Sequence, residues 1–281
     1  MATPDLVVIG HIVRDLVPGG WRVGGTATFA AVQAQRLGLK AGIVTRVGPE
    51  VALDEVLPGV AVAGAPSSCS TTFENVYEAG RRRQRVLSRA EALSAADVPA
   101  DWRAAPMVLL GPVCGEVPVD MAAQFAGALV GVSAQGWLRR VDREHRVRRA
   151  AWSGQPFWGG CKVFFVSDED LGRHPEQLER WVADVPIVAL TRNRRGARLH
   201  MEGRWREIAA FPAREVDPTG AGDVFAAAFL VRYRETDDVA EAMRFASAAA
   251  ACSIEAPATE GIAGREEIER RMAEHPEVAL R

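Results

Sequence analysis

Short apolar runs recur along this chain, each about the length of a single strand, and stretches of helical periodicity separate them. "DLVVIGHI" (5–12), "AGIVTRVG" (41–48), "VAVAGAP" (60–66), "MVLLGPV" (107–113), "ALVGVSAQ" (128–135), "KVFFVS" (162–167) and "PIVALTRN" (186–193) are continuously apolar rather than alternating. A strand that is apolar on both faces must be covered on both faces. With helices expected between most of the runs, such as "TFAAVQAQRLG" (28–38) ended by Gly38, the pattern predicts an α/β fold. Its sheet would be mainly parallel, doubly wound and flanked by helices. No repeat, low-complexity tract or linker interrupts it, so residues 1–281 are expected to form one domain.

Two places break the alternation. "STTFENVYE" (70–78) and "QRVLSR" (84–89) read as a β-hairpin with Gly80 in its turn, and "DLVPGGWRVGG" (15–25) reads as irregular chain where a helix is due. Both belong on the strand-end side of the sheet, where α/β proteins bind ligands, and predict a small β lid from about 12–24 and 69–90.

Composition excludes more than it proposes. A net charge of −2 gives no general reason to bind nucleic acid or an anionic membrane. Arg-rich runs such as 81–85 and 139–149 then read as solvated faces, although Arg139 could reach a phosphate. Only Lys40 and Lys162 are lysine, so a P-loop mechanism has almost no lysine to use. The first strand leads into "GHIVRD" rather than GxGxxG, which excludes a Rossmann dehydrogenase. Cys69, Cys114, Cys161 and Cys252 form no CxxC pair and read as free thiols in a reducing compartment. The five histidines show no zinc-ligand spacing. With neither a basic, signal-like N-terminus nor a membrane-length apolar run, the expected location is cytoplasmic.

One stretch carries chemistry: "EVDPTGAGDVFAAAFL" (215–230). "REVD" reads as a strand end, and Gly222–Asp223 open a helix apolar on every side, hence deeply buried. Glycines at a helix start let backbone N–H groups approach a ligand, and those groups together with the helix dipole make an anion hole. Asp223 then faces a cleft rather than bulk water. A carboxylate beside an anion hole suits a general base for a hydroxyl attacking a phosphate.

"DPTGAGD" before a buried helix resembles the signature of the PfkB (ribokinase-like) carbohydrate kinases. The resemblance runs from about residue 5 to about 260 and implies a ribokinase-like fold with a β lid. It implies Asp223 as catalytic base and the Gly220, Ala221 and Gly222 amides as the hole for the transferred phosphoryl. "IGHIVRD" is similar to the family's first strand and loop, which makes Asp15 a binder of substrate hydroxyls; by itself it reads equally as a turn cap. "GGTATFAAVQAQRLG" resembles the segment in which two glycines, here Gly24 and Gly25, let substrate lie against backbone. Phe29 stands where most members have Asn. "ALTRNRRGARLH" resembles the nucleotide-side strand and turn at Thr191 and Gly196, with Asn193 replacing a Gly; a plain hairpin turn reads as well. Ser167 and Asp170 fall where the family organises Mg2+ through water, and by themselves make a good N-cap. Asp217 and Thr219 match positions where some relatives bind a monovalent cation, so K+ is a candidate.

The resemblance implies Mg-ATP as donor, with adenine near 191–197 and the helix around 240–254, and a small polyol or sugar as acceptor. "STTFENVYEAGRRRQRVLSRA" and "VSAQGWLR" are closest to the myo-inositol kinase branch. Ribose, another sugar or a nucleoside is the nearer alternative, and a catalytically silent ligand sensor the more distant one. The hairpin is also a candidate homodimer edge. Of the seven tryptophans most read as packing residues, with Trp21 singled out at the expected lid.

Overall fold

The computed structural model describes residues 2–78, 81–152, 160–172 and 174–281. Gly80 and Trp158 lie outside the described residues. In chain order, β1 (Leu6–Ile9) leads into β2 (Val13–Val17) and β3 (Gly20–Gly24), then α1 (Thr26–Arg36) and β4 (Ala41–Val44). The single turn α2 (Leu53–Val56) and β5 (Ala61–Ala63) precede a long hairpin, β6 (Thr71–Glu78) and β7 (Arg81–Ser88). Next come β8 (Met107–Leu110), β9 (Leu129–Ser133) and a short hairpin of β10 (Arg139–Val141) and β11 (Val147–Arg149). β12 (Val163–Ser167), α3 (Asp168–Leu171), α4 (Glu176–Asp184) and β13 (Ile187–Thr191) follow. β14 (Ala197–Met201), β15 (Arg204–Ile208), α5 (Ala221–Thr236), α6 (Val239–Ser253) and α7 (Arg265–Glu274) complete the order.

Each continuous apolar run supplies a strand of one nine-stranded sheet, ordered β15-β14-β13-β12-β9-β8-β1-β4-β5. The seven strands from β13 to β5 are parallel, and β14 and β15 add an antiparallel edge. The chain winds outward from β1 through β4 to β5, then restarts on the other side at β8. The winding reverses between β1 and β8, and a crevice is expected at the carboxyl ends of the strands beside such a reversal.

The two faces are covered unequally. On one, α1, α5 and α6 bury a cluster that includes Phe29, Phe165, Phe229 and Phe245. On the other, α4 and short 3₁₀ turns bury Trp102, Trp181 and Phe164. Between β8 and β9 the chain makes turns and one 3₁₀ turn rather than an α-helix, with Pro112, Gly115 and Pro118 interrupting the segment. Lys40 and Lys162 are exposed, each one residue before its strand (β4 and β12), on the side opposite the strand ends.

A separate four-stranded sheet, β3-β2-β6-β7, holds both interruptions of the sequence pattern. The expected β6–β7 hairpin forms. Residues 15–25 are not irregular: β2 and β3 pair antiparallel from Val13↔Gly24 to Val17↔Gly20. Pro18–Gly19 makes their turn, with Gly19 at φ 85°, as a type II turn requires. β2 also pairs parallel with β6, joining the two hairpins into one sheet. Three of the four cysteines are buried and Cys69 half-buried; all are free thiols.

Candidate active site

A cleft of about 1040 Å³ opens at the strand ends. Its floor is the start of α5. Residues 213–217 are coil rather than the expected strand. The segment is instead fastened to the end of α6, where the Val216 and Asp217 amides donate to the Ile254 carbonyl at 2.7 and 3.1 Å. Gly220 is the α5 N-cap at φ 78°, and residues 224–231 behind it are all buried. A Cβ on Gly220 would lie 2.2 Å from the Phe29 ring, so this glycine is required by both conformation and packing. Gly222 faces open space, and its Cα meets the cleft with no side chain between. The Ala221 N–H reaches the Pro218 carbonyl in a long 3.3 Å bond, which an incoming anion would have to displace.

Asp223 lies in the first turn of α5 and lines the cleft. Burial pushes its pKa up to about 6; the charge of Asp170 adds to the rise, while the Thr26 hydroxyl and Arg139 hold it back. Thr26 Oγ1 is buried and has no partner in good hydrogen-bond geometry among the described residues. A carboxylate raised this far is a stronger base than an ordinary Asp and is still ionised at neutral pH.

Across the cleft, β2 carries Asp15 and the β3–α1 junction carries Gly24 and Gly25. A Cβ on Gly24 would lie 2.1 Å from Asp15 Oδ2, and one on Gly25, at φ 90°, would lie 2.6 Å from the His11 carbonyl. The two glycines thus let Asp15 and the loop after β1 close against the backbone. Asp15 and Gly25 line the cleft together with Asp223; Gly24 stands behind Asp15. Val13, Phe29, Phe73 and Val113 make the apolar walls here.

At the other end, Thr191 and Gly196 flank the β13–β14 turn, and both line the cleft. Gly196 has φ 80°, with the Ile208 carbonyl 2.0 Å from where a Cβ would stand. Asn193 adopts φ 51°, so it takes the left-handed conformation open to the glycine it replaces. From α6, Ser247, Ala250 and Ala251 complete a slot of small side chains. Both segments expected around an adenine therefore meet in one place.

Ser167 caps α3: its hydroxyl donates to Asp170 Oδ2 at 2.6 Å and accepts from the Asp170 N–H at 3.0 Å. Among the described residues no group of three His, Cys, Asp or Glu side chains could hold a metal. Asp170 fits a metal that arrives with phosphates, since Mg2+ commonly takes one or two carboxylates and fills its shell with phosphate oxygens and water. Asp217 fits a K+ site poorly. Its oxygens accept from the Thr219 N–H at 3.0 Å and the Ala258 N–H at 3.1 Å. Burial would raise its pKa, but those bonds and Arg22 hold it low. Asp217 shapes the loop, whereas Thr219 reaches the cleft.

The sequence reading does not identify Thr26, Gln84, Ser133 or Gln135, all of which line the cleft. Thr26 directly follows the glycine pair, and that adjacency is the one signal that points to it.

Residues 163–263 match the pfkB family carbohydrate kinase. Over 259 residues the chain is 27% identical to the cytidine kinase of Thermococcus kodakarensis, covering 85% of this chain and 92% of that protein. It is 30% identical over 250 residues to inositol 3-kinase of Oryza sativa subsp. japonica, covering 79% of this chain but 61% of that protein's length. A pyrophosphate-dependent ribokinase-family kinase complexed with a pyrophosphate analog and myo-inositol has a TM-score of 0.78 at 21% identity, over 95% of this chain and 99% of the other. Arabidopsis thaliana ribokinase complexed with ribose and ATP has a TM-score of 0.74 at 21% identity, over 97% and 99%. At these identities the two structures establish the fold, which is ribokinase-like.

Proposed function

The chain carries a PfkB family carbohydrate kinase domain, and from that premise we propose that it transfers the γ-phosphoryl of Mg-ATP to a hydroxyl of a small polyol, myo-inositol foremost. Members of this family are phosphotransferases acting on hydroxyl groups, as the inositol and cytidine kinases illustrate. The observation that carries the reading is Asp223: a carboxylate of pKa about 6 at the mouth of an open helix N-terminus, facing Asp15 across one cleft.

In this reading Asp15 accepts hydrogen bonds from acceptor hydroxyls, while Gly24 and Gly25 keep that wall free of side chains. Val13, Phe29 and Phe73 offer the C–H face of a ring an apolar surface. Phe29 replaces a polar family position, so the acceptor loses a hydrogen-bonding group there and gains a flat contact. Asp223 takes the proton of the attacking hydroxyl, and the Gly220 and Gly222 amides with the α5 dipole receive charge developing on the phosphoryl oxygens. Mg2+, when bound, neutralises the donor phosphates, with Asp170 positioned to organise its water shell. The β3-β2-β6-β7 sheet acts as the lid that keeps water from the transfer.

A nucleoside acceptor is the second reading, favoured by the match to cytidine kinase over 92% of that protein. A homodimer through the lid remains an expectation for sedimentation to check; the β7 edge it would use already donates from Val86 to the His145 carbonyl at 2.8 Å. Among the described residues no helix is long and apolar enough to cross a membrane, and a cytoplasmic location is part of the proposal.

ADP release from Mg-ATP, measured across myo-inositol, ribose, fructose and cytidine, tests the reading. One acceptor is expected to dominate, and Asp223→Asn to lower its turnover about a hundred- to ten-thousandfold. Turnover in that variant equal to wild type would overturn the assignment of the base.

A further inference from the structure

Arg139 is the first residue of β10 and lines the cleft. Its hairpin is held at both ends. At the base, Leu138 is fully buried and its carbonyl accepts from the Ala150 N–H at 2.8 Å. Trp137 stacks on Trp152 with centroids 4.9 Å apart and donates Nε1–H to the Val117 carbonyl at 3.0 Å. At the tip, Asp142 closes the turn: Oδ1 accepts from the Glu144 and Arg146 amides, both at 2.9 Å, and Oδ2 from Arg146 Nε at 3.0 Å and Arg148 Nε at 2.9 Å.

The tip does not project into solvent alone. The Val86 N–H of β7 donates to the His145 carbonyl at 2.8 Å, and the backbones of Arg85 and Arg146 pair in an antiparallel β-bridge. Two residues before Val86 on the same strand, Gln84 lines the cleft. One hairpin therefore touches the smaller sheet at its tip and the cleft at its first residue. The Arg139 guanidinium is close enough to lower the pKa of Asp223, and it acts on Cys114 as well.

We infer that Arg139 is a phosphate-binding residue of the transfer site, seated by a hairpin whose tip rides on the smaller sheet, so that sheet and cation move together. This rests on the phosphotransfer reading. In the transfer, the acceptor oxygen forms its bond to phosphorus, the bond from phosphorus to the donor's bridging oxygen breaks, and the proton passes to Asp223. Arg139 forms a fork of charged hydrogen bonds to the moving group's oxygens, where negative charge is spread. Closure of the smaller sheet over acceptor would carry β7, and with it the β10–β11 tip, so a full acceptor site and a seated cation would arise in one motion.

Arg139→Gln is expected to lower kcat about a hundredfold, in the range for losing one oriented donor to transition-state charge. Titrated without acceptor, Mg-ATP should bind that variant roughly tenfold more weakly, while Mg-ADP, lacking the γ-phosphoryl, stays within about threefold of wild type. Arg139→Lys should recover part of the loss, keeping the charge without the planar fork. Unchanged affinities with unchanged kcat, or equal losses for ATP and ADP, overturn the assignment. The titration needs no acceptor, so a failed acceptor screen would sink the polyol reading without touching this one. Should ATP not bind wild-type protein, pyrophosphate and orthophosphate make the same comparison. For the coupling, replacing residues 142–146 by Gly-Gly keeps a two-residue hairpin turn and removes the docked tip. A kcat lowered about tenfold with Arg139 present supports the linkage, and a wild-type kcat overturns it.

Discussion

Asp223 meets two opposed demands at its position. As the proposed base it must lose its proton, and burial raises the cost of doing so. Ionisation near pH 6 implies that kcat/KM falls on the acid side of about pH 6, by up to tenfold per pH unit, which a pH–rate profile checks. The same shift has a stability consequence of definite sign. A carboxyl whose folded pKa lies above its unfolded value favours folding when protonated, and that contribution is lost as pH rises from about 4 through about 6. Asp223→Asn should therefore melt a few degrees higher than wild type at pH 8, on the order expected for a domain of this size, with the gap closing below about pH 4. Equal melting temperatures at pH 8 would mean that the charge is solvated. Gly220 offers a second residue-scale test. Gly220→Ala adds a methyl group against Phe29 at φ 78° and should cost about 1–3 kcal/mol in denaturant unfolding. Pairing it with Phe29→Ala should restore the packing part and leave the backbone part, so the cycle should show coupling.

At the scale of elements, the loops after β1 and β8 are joined by one carboxylate. Glu116 is 1% exposed, and its oxygens accept from the His11 N–H at 3.1 Å, the Val113 N–H at 2.9 Å and the Cys114 N–H at 2.8 Å. These loops flank the winding reversal and present Val13 and Val113 to the cleft. Glu116→Ala would orphan three buried donors and is expected to cost about 3 kcal/mol or more, read as a lowered denaturation midpoint. Elements were legible in the sequence where one signal sufficed. Continuous apolar runs dictated the parallel strands, and the Gly-rich start of an all-apolar helix located α5 and placed Asp223 in its first turn. The β2–β3 hairpin was missed: the glycines of 15–25 read as irregular chain, although Pro18–Gly19 has the composition of a tight turn. What could not be read depends on distant partners. "REVD" has strand-like composition, yet its Val216 and Asp217 amides go to the Ile254 carbonyl just after α6. Gln84 and Arg139 sit within Arg-rich runs that read as solvated, and only the pairing of two hairpins turns one side chain of each run into the cleft.

Across the whole molecule, the parallel sheet gives the protein two unlike ends. Most candidate residues, Asp15 and Asp223 among them, line the cleft at the strand ends, because loops leaving parallel strands emerge on one side. The other side, where strands begin, holds Lys40 and Lys162, the only lysines, both exposed. Reagents that acylate amines therefore meet side chains at the far pole alone. Coupling the protein through its amines to an activated resin or sensor chip should orient the cleft outward, and turnover per bound molecule should match that in solution. Attachment through carboxylates, of which some line the cleft and many lie elsewhere, should instead give mixed orientations and a lower turnover per bound molecule.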